Sequence, residues 1–225
     1  MRLPNSPPDP GAALVADTSF WINLASTVCP GEILQALSGP VIVPDVALEE
    51  LRRGQATGRQ SAQVVEALLA SGHARVETLP PAALATYIAL VAGPAAETLD
   101  DGEAATLALA HAVGGRAIID EKKARRLSPV RFPGLRLLYT IELLLLPAVE
   151  GILGRTRVSD AIFAALNVSR MRVPAELIGS VIEIIGHERA RLCHSLPIRS
   201  RMLMEIGTRC SPTAETGLCG GSALK

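Results

Sequence analysis

Residues 97–126 read E-T-L-D-D-G-E-A-A-T-L-A-L-A-H-A-V-G-G-R-A-I-I-D-E-K-K-A-R-R. Asp100, Asp101 and Glu103 stand at the head of an alanine-rich segment, and Asp120 and Glu121 at the end of a short apolar run. Two more acids repeat the placement. Asp17 closes the run Ala13–Ala16, and Glu50 lies one turn beyond Val41–Val43 and Pro44. Each alone has an ordinary explanation. An aspartate after a strand is often a helix cap. Acids in a first helical turn complement the helix dipole. Glu49, Glu50, Arg52 and Arg53 also read as a solvated face. Together, Asp17, Glu50, Glu103 and Asp120 occupy equivalent ends of successive elements, where one pocket could collect them. Two like charges about 4 Å apart repel by roughly 4 kcal/mol at an effective dielectric near 20. A hard divalent cation relieves that cost, and oxygen-only ligands suit Mg²⁺ or Mn²⁺. Such a centre can activate water and stabilise the displacement of a phosphodiester.

The elements that must position these acids are short. Apolar runs at Ala13–Ala16, Val41–Val43, Ala117–Ile119 and Leu135–Tyr139 read as strands, with Ala74–Leu79 a further candidate. Helical periodicity follows from Trp21, from Val46 with a break at Gly54, from Gln60 to Ala70, and from Pro81 to Val91. The segment Asp101–Val113 reads as a strong helix stopped by Gly114-Gly115, and Glu121–Leu127 as a short basic one. Thr18, Ser19, Asp45 and Asp101 are candidate N-caps. Strands alternating with helices predict βαβ units and a parallel sheet covered on both faces. Ligands of such sheets bind at the carboxyl ends of the strands.

Composition narrows the class. The chain has 225 residues, a formal net charge of zero, 48% hydrophobic and only 3% aromatic residues. Its core must therefore be built from Ala, Leu, Val and Ile, and nothing in the global charge drives it to nucleic acid or membrane. Cys29, Cys193, Cys210 and Cys219 have neither paired C-x-x-C spacing nor the density of a disulfide scaffold, which fits a reducing cytoplasm. Leu137–Val149, the most apolar stretch, is interrupted by Glu142 and Pro147 and is too short to span a membrane, so it reads as a buried helix. The Pro-rich segment 1–12 reads as an extended lead-in and 190–225 as a disordered tail. Cys193-His194, Cys210 and Cys219 are too irregular for a zinc site. His73 and His187 follow glycines in loops, and His111 reads as structural. Lys122, Lys123, Arg125 and Arg126 follow Asp120 and Glu121 as a candidate strip for RNA phosphates, or as a solvated helix face.

L-V-A-D-T-S-F-W-I-N-L-A resembles the opening motif of PIN-domain nucleases, and V-P-D-V-A-L-E-E-L their second. L-D-D-G-E-A-A-T-L-A-L-A and A-I-I-D-E-K-K-A-R-R look like the third and fourth. The G-E-A form and the basic string are most similar to a PIN subgroup of unknown function, many of whose members are toxins of toxin–antitoxin pairs. The resemblance spans Leu14–Leu153, weakening toward Glu188. It implies a three-layer α/β/α fold with a central parallel sheet of four or five strands. It also implies a Mg²⁺- or Mn²⁺-dependent ribonuclease, with RNA as substrate and a small antitoxin as partner. Asp17, Glu50, Glu103 and Asp120 then become the catalytic and metal-binding acids, with Ser19 and Glu121 supporting them. Relatives carry glycines where Tyr139 and Glu142 stand, and a lysine where Ala148 stands. Those departures keep open a second reading, a nucleic-acid-binding or regulatory module with weak or no catalysis. The expected organisation is a nuclease domain over 13–155 and a helical extension over 156–189. The apolar face of V-P-A-E-L-I-G-S-V-I-E-I-I-G would serve core packing, a homodimer or a partner.

Overall fold

The computed structural model describes residues 11–55, 60–198 and 200. The chain opens with β1 (Leu14–Ala16), α1 (Thr18–Ala25), α2 (Pro30–Gln35) and β2 (Val41–Pro44). It continues through α3 (Asp45–Gln55), α4 (Ser61–Ala70), β3 (Ala74–Glu77), α5 (Pro81–Val91) and α6 (Asp101–Ala112). Then follow β4 (Arg116–Ile118), α7 (Lys122–Arg131), β5 (Arg136–Leu138), α8 (Thr140–Leu144) and α9 (Pro147–Leu153). The described part ends with α10 (Arg155–Asn167), a 3₁₀ turn, α11 (Ile178–Ile185) and α12 (His187–Leu192).

The five strands form one parallel sheet in the order β3-β2-β1-β4-β5. Side chains alternate between its faces, as the period of two requires. Leu14, Ala16, Val41, Val43, Ile118 and Leu138 join the core on one face. Val15, Ile42, Ala117 and Ile119 join the core on the other, under Leu107 and Leu109 of α6 and Leu90 of α5. The chain runs outward from β1 to β3, then returns to β4 on the opposite side. Between β1 and β4 lies the topological switch point, where open α/β sheets bind their ligands.

Several sequence-based expectations change. Asp17, rather than Thr18 or Ser19, caps α1, and its carboxylate accepts from the Phe20 amide. α3 ends at Gln55, one residue past Gly54, where the break is expected. Leu137–Val149 is not one buried helix. It holds the end of β5, then α8, then α9, because Tyr139 is extended and Pro147 restarts the chain at a first helical turn. His187 opens α12 and is not in a loop. Trp21, Phe20, Ile162, Leu166, Val181 and Ile185 share one core, so the helices after Arg155 are continuous with the sheet domain. The apolar face of α11 is therefore used inside the chain. Ala190, Cys193 and Leu196 are buried as well, so a boundary near Ala190 would cut through the folded body. Residues 1–10, Cys210, Cys219 and the rest of 201–225 lie outside the described residues. No helix among the described residues is long and apolar enough to cross a membrane.

Candidate active site

Asp17 and Asp120 follow the two strands that flank the switch point, and both are buried, at 2% and 4% exposure. Each is held by neighbours that aim its oxygens. Ser19 Oγ donates to both oxygens of Asp17 at 2.8 Å, and the Phe20 amide donates to one of them at 2.8 Å. Asp120 accepts from the Thr140 amide at 2.8 Å, from Thr140 Oγ1 at 2.6 Å and from Asn23 Nδ2 at 2.7 Å. Asn23 comes from α1 and Thr140 from the head of α8, so Asp120 ties three elements together. Neither holder of Asp120 was singled out as such in the sequence. The signal was there in Asn23, a polar residue on the apolar run W-I-N-L-A, but its partner lies 97 positions away.

Glu50 comes to the same place from α3. Thr18 Oγ1 donates to its carboxylate at 2.7 Å. Gly102 makes this approach feasible: a Cβ there would lie 2.5 Å from Glu50 Oε2 and 2.6 Å from Thr18 Oγ1. A glycine at the second position of α6 thus lets α3 and α6 converge on the site. Glu103 follows it. Asp17, Glu50, Glu103 and Asp100 line one depression of about 140 Å³, with Thr18, Ser19 and Ile22 completing its walls. Asp120 does not line it. Glu49 is exposed. Asp101 accepts from the Tyr87 hydroxyl at 3.1 Å, outside the depression.

The electrostatics follow from this crowding. Burial pushes Asp17 well above the usual carboxylate range, and the charge of Asp120 pushes it further, with a smaller contribution from Glu103. Burial also raises Asp120, against the hydrogen bonds from Thr140 and Asn23. Glu103 is raised to about 7, first by burial and then by Asp100 and Glu121. Carboxylates in this state favour a bound proton or a bound cation. The all-oxygen donor set fits Mg²⁺ or Mn²⁺ in chemical type. It does not form a closed cage: among the described residues, no three His, Cys, Asp or Glu side chains stand close enough to hold one ion. Mg²⁺ characteristically keeps several waters and takes only one or two carboxylates, so a closed cage is not required.

The flanking residues have structural partners. Glu121 forms an ion pair with Arg172 at 3.3 Å. Arg125 donates to the Ile119 carbonyl at 2.9 Å and stacks on Tyr139, 3.3 Å from the ring centroid. It thereby braces the Asp120 turn against the Tyr139–Thr140 turn. Lys123 and Arg126 donate to the carbonyls of Ala95 and Ala96, in the loop that leads to Asp100. Lys122 is exposed. Glu142 accepts from the Tyr139 amide at 2.8 Å, so the residue standing in place of a glycine caps α8.

A sequence profile described as a PIN domain matches residues 13–187. The chain belongs to the PIN-domain family. PIN domains are in general nucleases that typically use divalent metals. The match runs through α11 to the first residue of α12, in keeping with the single core that joins those helices to the PIN sheet. No curated protein and no solved structure matches the chain.

Proposed function

We propose that this PIN domain is a metal-dependent endoribonuclease and the toxin of a type II toxin–antitoxin pair, acting on cytoplasmic RNA. One observation carries the nuclease reading. Two buried aspartates flank the switch point of a parallel sheet, each oriented by hydrogen bonds and each raised by burial. Asp17, Glu50, Glu103 and Asp120 would hold Mg²⁺ or Mn²⁺. When bound, the cation supplies a nucleophilic hydroxide and stabilises charge on the phosphate. The chain's own residues set the orientation. Ser19 and the Phe20 amide fix Asp17, Thr140 and Asn23 fix Asp120, and Thr18 fixes Glu50. Glu103 can take or give a proton near neutral pH, and Glu121 lies beside it as an auxiliary acid. Lys122, with the spare donors of Lys123, Arg125 and Arg126, contacts RNA phosphates. The toxin assignment is supported by the likeness of the G-E-A and D-E-K-K-A-R-R strings to that subgroup, and a small antitoxin is the partner it calls for. A homodimer is the assembly proposed with it.

The test is Mn²⁺-dependent cleavage of a mixed structured RNA pool by the parent, Asp17→Asn and Asp120→Asn. Cleavage lost in both variants supports the reading, and cleavage that survives both refutes it. Glu142 and Ala148, standing where relatives carry a glycine and a lysine, favour a second reading as a binding or regulatory module. That reading gains if no RNA is cut while Mn²⁺ still raises the melting temperature. Growth arrest on expression, relieved by Asp17→Asn and by a gene-neighbour antitoxin, would test the toxin role.

A further inference from the structure

The turn that follows α10 stands beside the acid-lined depression. Val168 and Ser169 line a groove of about 590 Å³ together with Ser19 and Ile22, and those two residues also wall the depression. A little further along, Arg172 pairs at 3.3 Å with Glu121, the residue directly after Asp120. The turn thus meets the α1 flank of the site through Ser169 and the Asp120 flank through Arg172. Arg170 lies between these two contacts.

The backbone of this turn is unusual. Arg170 has a φ of 57° and is the one non-glycine residue with positive φ among the described residues. A side chain crowds the backbone in that conformation, so helix ends that need it favour glycine. Here the chain does need it. Past the end of α10 it reverses, and the Met171 amide donates to the Ala165 carbonyl at 2.9 Å. Ser169 Oγ donates to the same carbonyl at 2.8 Å. Met171 is 1% exposed and Pro174 is buried too, so packing on both sides of Arg170 imposes the strain. An exposed arginine, and not a glycine, bears it. Residues kept in such a conformation cluster at functional sites.

The charges around the turn indicate what its arginines serve. Asp17, Glu50, Asp100 and Glu103 line one depression, and the charges of Asp120 and Glu121 reach Asp17 and Glu103. Such a surface repels a phosphate chain unless cations stand beside it. In α7, Lys123 and Arg126 already hold loop carbonyls and Arg125 stacks on Tyr139. Arg172 and Glu121 both stay partly open to water, and an exposed pair of this kind contributes little to stability. Arg172 can therefore turn to a phosphate at small cost. A guanidinium matches two phosphate oxygens at once.

We infer that the 168–172 turn is a phosphate-binding element for the RNA strand: Arg170 and Arg172 hold a backbone phosphate next to the scissile one, and Arg172 leaves Glu121 to do so. The inference rests on the ribonuclease reading for its ligand. Contacts of this kind position a strand without reading its sequence.

Fluorescence polarisation of a labelled single-stranded RNA of mixed sequence, in EDTA and again in Ca²⁺, over a series of KCl concentrations, tests the inference and needs no cleavage. Arg170→Gln and Arg172→Gln should each weaken binding about tenfold at low salt, the worth of one hydrogen bond to a charged group. Each should also reduce the slope of log K against log salt by about 0.7, as expected for one phosphate contact of a single strand. Arg155→Gln, at the other end of α10, should change neither. Arg170→Gly suits the left-handed backbone, so its melting temperature should hold while its RNA binding falls as in Arg170→Gln. Arg170→Lys should recover the salt slope. If these losses appear and the parent cuts no RNA in Mn²⁺, the phosphate element stands and the nuclease reading fails. Parental affinity and slope in both Arg170→Gln and Arg172→Gln, an equal loss in Arg155→Gln, or a parent that binds no RNA in either buffer overturns the element. Mn²⁺-dependent cleavage by the parent would then leave the nuclease reading intact.

Discussion

At the scale of single residues, the site is a set of carboxylates held where their charges are unfavourable. Asp17 is raised by burial and by Asp120, so neutralising it relieves repulsion in the metal-free protein. Asp17→Asn keeps an oxygen for the Phe20 amide and Ser19. Its melting temperature without metal at pH 8 should exceed the parent's by at least about 2 °C, and Mn²⁺-dependent cleavage should vanish. A variant less stable than the parent at that pH would contradict the electrostatic account. Glu103 adds a pH dependence of known sign. Its carboxyl is raised from 4.5 to about 7 on folding, so the folded chain binds more protons than the unfolded chain between those values. Its contribution to stability is full below about pH 4.5 and is lost as the pH climbs through about 7. Metal-free melting temperatures should therefore fall between pH 6 and 8, and Glu103→Gln should flatten that slope. The stabilisation by Mn²⁺ should grow over the same range, because protons and metal compete for the same oxygens.

At the scale of elements, two contacts decide whether the acids meet. Gly102 leaves no room for a side chain between α6 and the Glu50–Thr18 pair. Gly102→Ala should displace Glu50 and cut Mn²⁺ affinity, while an alanine elsewhere on α6 is well suited to the helix. Unchanged Mn²⁺ stabilisation in that variant would show that Glu50 is dispensable. Thr140 supplies two of the three hydrogen bonds on buried Asp120. Thr140→Val keeps the shape and the backbone donor but removes the hydroxyl. It should cost about 1–3 kcal/mol by denaturant unfolding and raise the Asp120 pKa further. Asp17 and Asp120 stand out in the sequence because each closes an apolar run, and Glu50 and Glu103 because each lies near the start of a helix. Thr140 and Asn23 were not legible as their holders. A hydrogen bond between positions 23 and 120 exists only once β1 and β4 are neighbours.

At the scale of the whole molecule, the helices after Arg155 are part of the core and not an appendage. Ile162 and Leu166 of α10 are fully buried in the cluster that contains Trp21 and Phe20 of α1, the helix capped by Asp17. Leu166→Ala should cost about 2–5 kcal/mol. A chain ended at residue 155 should lose cooperative unfolding, since it would expose that face of α1. Cooperative melting of the truncated chain would restore the extension as a separate unit. The basic string 122–126 has a similar lesson. Its spacing suggested a phosphate strip, yet Lys123, Arg125 and Arg126 also hold the 95–96 loop and the Ile119 turn in place.

The sequence by itself determined the parallel α/β architecture and the family, and it supplied the acids proposed for the site. Alternation, capping and short motifs are local, and they survive without knowledge of the partner elements. Only the tertiary structure decided which donors orient each carboxylate, how deep each is buried, and that Glu50 and Thr18 pack against Gly102. It also decided that Leu137–Val149 is a strand end, one short helix and the start of another. Apolarity alone marks such a stretch as buried, while its shape depends on the sheet edge and the helices packed around it.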